Sequence, residues 1–71
     1  MIIDDFSVLF SDVTVEEGAV VKDSIIMQDS VIGENCVITN IIADKNVEIS
    51  SDKVLTGYES LPFVISKGTK I

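Results

Sequence analysis

Three consecutive seventeen-residue stretches of this chain can be laid over one another with their residue classes in phase. They are residues 9–25 (LFSDVTVEEGAVVKDSI), 26–42 (IMQDSVIGENCVITNII) and 43–59 (ADKNVEISSDKVLTGYE). Leu9 falls over Ile26, Val15 over Ile32 over Ile49, and Val21 over Ile38 over Leu55. Val20, Val37 and Val54 share another column, and Glu17 falls over Glu34. A fixed period near seventeen is short for a helical repeat and long for a hairpin. It suits one coil of a β-solenoid, in which each repeat buries its apolar face only by stacking on its neighbours.

A finer unit runs inside each coil. Large aliphatics recur at Leu9, Val15, Val21, Ile26, Ile32, Ile38, Ile49 and Leu55, and four residues after most of them stands a smaller one: Val13, Ala19, Ser30, Cys36, Val47. Ser24 takes that role only three residues after Val21, so one corner of the coil is a residue short. Three such hexapeptides describe three flat sides and three corners. The large residue points into a narrow triangular prism and the small one faces in where the corner leaves little room. Coils stack at the inter-strand spacing of about 4.8 Å. Glu16-Glu17-Gly18, Gly33-Glu34-Asn35 and Asp44-Lys45-Asn46 fall at corners, where Gly and Asn accept the left-handed backbone of tight turns. No sustained 3.6-residue stripe competes, and β-branched residues disfavour helix. The expected fold is all-β: a parallel β-helix of about three triangular coils, an antiparallel sandwich being the alternative.

Residues 1–8 read as the end of a preceding coil, with Ser7 matching Ser24 and Val8 matching Ile25. The N-terminal end is therefore expected to be a raw edge, covered by a partner or continued in a longer protein. After residue 59 the register stops, and residues 60–71, with Pro62, Phe63 and a final turn, are expected to cap the stack. The domain expected is thus a single β-helix over 1–71. Coil three is the least regular, with Ala43 at a large position and Lys53 at a small one.

Twelve acids against five lysines and no arginine give a net charge of −7. Phosphate-backbone and anionic-membrane binding need clustered positive charge, so neither nucleic acid nor membrane is an expected partner. The longest apolar run is well short of the roughly 20 residues that cross a bilayer, and Met1-Ile2-Ile3-Asp4-Asp5 lacks a signal-peptide pattern. A cytoplasmic protein is the expectation.

The run GAVVKDSIIMQDSVIGENCVITNIIADKNVEI resembles the C-terminal left-handed β-helix of bacterial glucose-1-phosphate adenylyltransferase (ADP-glucose pyrophosphorylase), above all its non-catalytic, regulatory-type subunit. The likeness rests on Val20-Val21-Lys22-Asp23-Ser24-Ile25-Ile26-Met27, on Ile42-Ala43-Asp44-Lys45-Asn46-Val47, and on the tail Pro62-Phe63-Val64-Ile65-Ser66-Lys67-Gly68-Thr69. It covers nearly all of the chain but only the C-terminal part of the family protein. The resemblance implies the left hand of the helix, which periodicity alone does not give. It also implies a role in subunit assembly and allosteric control in glycogen biosynthesis, with a catalytic nucleotidyltransferase domain or subunit, or further copies of the chain, as partners. No Gly-rich phosphate loop is present, so no catalytic residue is carried over and the chain alone is expected to be inactive.

The remaining chemistry is sparse. With no histidine, the imidazole base of hexapeptide acyltransferases and the zinc site of β-helical carbonic anhydrases have no counterpart here. Cys36 occupies an inward position with no base in the chain to activate it, and reads as a packing thiol. Asp12 over Asp29 and Glu17 over Glu34 form acidic columns that could hold Ca²⁺ or Mg²⁺ weakly, but read better as solvated corners. No cofactor or metal is expected. Lys45, Lys53, Lys67 and Lys70 gather late in the sequence and are candidates for an anionic effector, though the net charge counts against them. The outward aliphatics point more firmly to a function. Val20, Val37 and Val54 form one ladder, Ile25 and Ile42 a second, and Val31, between Thr14 and Glu48, a third spot. Contiguous exposed apolar surface marks interfaces, so these six residues are the expected contact with another subunit or domain.

Overall fold

A computed structural model describes the whole chain, Met1–Ile71. It contains eleven short strands and no helix. The first coil carries β1 (Ile2–Ile3), β2 (Val8–Leu9) and β3 (Thr14–Val15). The second carries β4 (Val20–Lys22), β5 (Ile25–Ile26) and β6 (Val31–Ile32), and the third β7 (Val37–Thr39), β8 (Ile41–Ala43) and β9 (Glu48–Ile49). The last carries β10 (Val54–Thr56) and β11 (Phe63–Ile65). They stack into three parallel sheets: side one is β1-β4-β7-β10, side two β2-β5-β8-β11 and side three β3-β6-β9. This is the three-sided β-solenoid of the hexapeptide-repeat, left-handed β-helix type, as the periodicity and the resemblance together predict.

The register follows the repeat through the middle coils. Val20 pairs with Val37 and Val37 with Val54, Ile25 with Ile42, and Val15 with Ile32 and Ile32 with Ile49. At the ends it departs. Ile2 pairs with Val20, eighteen positions on, because the first coil holds one more residue at the corner between sides one and two. Phe63 pairs with Ile41, twenty-two positions back, because the same corner expands by five residues in the last coil. The tail expected to stop the stacking instead extends it. β11 adds a fourth strand to side two, and Lys70 bridges Glu48 on side three.

The inward columns form one core of Ala19, Val21, Ile26, Ile32, Cys36, Ile38, Ile41, Ala43, Val47, Ile49 and Ile65, with Ile3, Leu9, Val13, Val15 and Leu55 packed against it from the ends. Each fully buried isoleucine stabilises the fold by about 1.5–3 kcal/mol. The irregular third coil proves compensated. Ala43 takes the column of Ile26, and Ile41, two residues earlier, takes the column of Ser24; both are fully buried. Exchanging the large and small positions keeps the cross-section filled.

The small inward residues also stitch the coils together. Where the chain turns a corner, the amides of Ile41 and Val47 face inward. The Ser24 hydroxyl accepts the Ile41 amide (3.1 Å) and donates to the Lys22 carbonyl (2.8 Å). Ser30 repeats the device at the next corner, accepting from Val47 (3.2 Å) and donating to the Asp44 carbonyl (3.0 Å). Cys36, in the equivalent place, points its thiol at the Ser50 carbonyl, 2.9 Å away. No buried side-chain nitrogen or oxygen lacks a partner, as a narrow core requires.

Candidate functional site

Since strand residues alternate between faces, each inward column implies an outward one beside it. On side one the outward column is Ile2, Val20, Val37 and Val54, one residue per coil. On side two it is Val8, Ile25, Ile42 and Val64. Val20, Ile25 and Ile42 are half-buried because coils above and below cover their flanks, whereas Val54 is 68% exposed and Val64 62%. Both ladders are longer than the sequence implied. Val8 joins in the ordinary register, whereas Ile2 and Val64 join only once the altered registers of the first and last coils are known. Side three differs: Val31 is half-buried between Thr14 and Glu48, and the column ends in Lys70, whose ammonium lies 3.2 Å from the Glu48 carboxylate. Both groups are exposed, so this pair contributes under about 1 kcal/mol.

The other residues singled out in the sequence separate. Lys45 and Lys67 stack at the corner between sides two and three, where the Gly68 amide donates to the Lys45 carbonyl (3.0 Å). Lys53 lies at the corner between sides three and one, and Lys70 on side three, so the four lysines do not converge. Asp12 and Asp29 adopt left-handed backbone values (φ 58° and 63°), and the Asp29 amide donates to the Ser11 carbonyl (3.2 Å). Their position answers the need of a tight corner. No group of three or more His, Cys, Asp or Glu residues is arranged to hold a metal ion. The Cys36 thiol is fully buried.

The corner between sides one and two carries features that the periodicity did not reveal. In the middle coils it is short: Asp23 and Asn40, both with positive φ, turn the chain in the least possible length. In the first coil the extra residue pushes Phe6 outward, leaving it 81% exposed. In the last coil residues 57–62 bulge, and Tyr58 and Leu61 clasp each other by an antiparallel bridge, with amide-to-carbonyl distances of 3.2 and 3.0 Å. Gly57 begins this bulge because a Cβ there would overlap the Asn40 carbonyl oxygen and the Phe63 amide. Between the two protrusions lies a groove of about 440 Å³, lined by Phe6, Asp23, Asn40, Glu59 and Pro62 among others. A second hollow, about 670 Å³, lies on side three near Glu16, Glu34, Glu48 and Lys70.

Beside the groove, Asp4 is held below the usual carboxylate range. The Ser7 hydroxyl is the main cause, joined by the amides of Asp23 (3.1 Å) and Ser7 (3.0 Å), and partial desolvation opposes them. Ser7 in turn accepts the Ser24 amide (3.2 Å), so two side chains of the first coil serve the corner above. The signal for Phe6 was present in the sequence as the one-residue surplus between Ile3 and Val8. With no earlier coil for comparison, it could not be read as an insertion.

A family model described as GlmU-like, C-terminal hexapeptide matches residues 4–60 of the chain. No curated protein and no solved structure matches it.

Proposed function

The chain belongs to the GlmU-like C-terminal hexapeptide family, and from that premise we propose that it is an assembly and regulatory β-helix of an ADP-glucose pyrophosphorylase-like nucleotidyltransferase in glycogen biosynthesis, without catalysis of its own. The observation that carries the assembly role is the pair of aliphatic ladders running the full height of two adjacent sides, Ile2-Val20-Val37-Val54 and Val8-Ile25-Ile42-Val64. A solenoid that works alone would set Thr, Lys or Glu at such positions, as side three sets Thr14, Glu48 and Lys70. The ADP-glucose pyrophosphorylase attribution is supported by the three segments quoted above, of which the Pro62–Thr69 tail forms β11 and the turn after it. Partners are a catalytic nucleotidyltransferase domain or subunit, or further copies of the chain, docked on sides one and two. The lack of histidine and the burial of Cys36 support the non-catalytic half of the reading.

The test combines mass and activity. The purified chain should sediment above its 7.7 kDa monomer mass at high concentration, or bind the isolated catalytic domain of an ADP-glucose pyrophosphorylase. Val54→Glu and Val64→Glu, both at exposed ladder ends, should abolish that association without unfolding the chain. A chain that stays monomeric and ignores the catalytic domain overturns the assembly role, and ATP formation from ADP-glucose and pyrophosphate by the chain alone overturns the non-catalytic one. A second reading, a domain of a different hexapeptide-repeat transferase, is favoured by the description of the matched family. Association with itself but not with the adenylyltransferase domain would select it.

A further inference from the structure

We propose that the groove at the corner between sides one and two is a docking site for a protein segment presenting an arginine flanked by apolar side chains. It borders the side-two ladder at Ile25, which lines it, but its walls and its charged groups lie outside both ladders. Both walls are built by the only departures from the seventeen-residue register, and the floor is the shortened corner between them. Phe6, Ile25 and Pro62 give the groove its apolar lining, and Phe6 is 81% exposed with nothing covering it. An aromatic ring of this kind offers a large apolar face for a partner to cover. The clasp between Tyr58 and Leu61 and the minimal turns at Asp23 and Asn40 hold the groove in shape before a partner arrives, which reduces the ordering cost of binding.

Charge selects the occupant. Asp23 and Glu59 line the groove and no cationic residue does. The Glu59 carboxylate accepts no hydrogen bond from the rest of the chain, whereas Asp23 has its side chain against Asp4, which Ser7 and the Asp23 amide already engage. A planar guanidinium can stack on the Phe6 ring while its N–H groups donate to these carboxylates, and the apolar neighbours of the arginine meet Pro62 and Ile25. A second copy of this chain cannot fill the role, because the sequence contains no arginine and carries a charge of −7.

The experiment is an ¹⁵N–¹H NMR titration of the full chain with the peptide acetyl-Leu-Arg-Leu-amide, run beside acetyl-Leu-Gln-Leu-amide. The arginine peptide should shift the amides of Asp23, Ser24, Ile25, Asn40 and Glu59, with an affinity that falls as salt is raised. Phe6→Ala and Glu59→Gln should each weaken it about threefold, in keeping with an exposed cation–π or ion-pair contact. Both positions are exposed, so the variant spectra should otherwise overlay on the wild type, and the mass of any assembly should not change. Equal shifts from the glutamine peptide overturn the proposal. So do shifts centred on the side-three hollow around Glu16 and Glu34, or no shifts at the limit of peptide solubility.

Discussion

At the corner between sides two and three, the left-handed backbone position is filled by Asp12, Asp29, Asn46 and Gly68 in four successive coils. Gly18, Asn35 and Asp52 fill it between sides three and one. Between sides one and two only Asp23 and Asn40 do so, and the first and last coils cross that corner with extra residues. Two corners therefore obey one backbone rule: Asx or Gly at one place, with an amide donating to the coil beneath, as Asn35 does to the Glu17 carbonyl (3.1 Å) and Asn46 to the Gln28 carbonyl (3.1 Å). They set the winding. The third corner is free to vary because it is already the shortest path, so added residues loop outward without altering the strands on either side. Its variation places Phe6, Tyr58 and Leu61 in solvent. The regular corners hold the fold, and the variable one holds the groove.

The largest expected effect comes from breaking a regular corner. A Cβ on Gly33 would lie 2.7 Å from the Ile49 carbonyl oxygen and from backbone atoms of Ser50 and Ser51, in the coil above. Gly33→Ala therefore drives two coils apart, and since each coil buries its core only on its neighbours, the loss is global. Urea unfolding should show a destabilisation of about 3 kcal/mol. A loss below about 0.5 kcal/mol, the scale of an ordinary surface substitution, would mean that the stack absorbs such wedges and that the corners do not set its spacing.

The second test sits just past the variable corner in coil three. Restoring the repeat there by Ala43→Ile should destabilise by about 2 kcal/mol, because Ile41 already fills the cross-section. Adding Ile41→Ser, which returns the column to the Ser24 pattern, should recover most of that loss. If Ala43→Ile alone is neutral, the two positions are not exchanging volume. This pair marks the limit of what could be read from the sequence. The inward columns through Ile26, Ile32 and Ile38 were legible because each recurs at a fixed interval. Ala43 looked like a defect because its compensation by Ile41 lies in a position the repeat reserves for small residues. The cap reading of residues 60–71 met the same obstacle: five inserted residues stretch the interval to β11 from seventeen positions to twenty-two, and a fixed period cannot follow it. Val20, Val37 and Val54 could be placed on one outward face from period alone, but Phe6 and Glu59 could not be placed beside each other. Their proximity depends on two coils, each irregular, meeting across a pair that is not.

The third test asks whether the variable corner is independent of the rest. Gly57→Ala should break the contact with Asn40 and Phe63 and free the bulge, but the strands below it keep their own corners. Hydrogen exchange should show lost protection for residues 57–65, with the amides of Val21, Ile32 and Ile38 unchanged and a global cost of about 1 kcal/mol. Uniform loss of protection through all coils would show that this corner supports the winding after all.

The smallest effect separates backbone from side-chain support at the same corner. In the third coil the Asn40 amide donates to the Lys22 carbonyl (3.1 Å), as at the regular corners. One coil earlier the Asp23 amide donates to the Asp4 carboxylate instead (3.1 Å), because the extra residue of the first coil has moved the backbone acceptor away. The Asp4 carboxyl is depressed in the folded chain, chiefly by the Ser7 hydroxyl and then by the amides. The folded state thus binds fewer protons there than the unfolded state, and stability from this group rises with pH. It is fully present above the unfolded carboxylate range near about 4 and is lost as pH falls through the lower folded value. Asp4→Asn keeps one acceptor oxygen but removes the charge. The gap in urea midpoint between wild type and variant should be present at neutral pH and close in strong acid. A gap that stays constant across that range would show that the first coil holds its corner by shape, as the other two corners do, and not by charge.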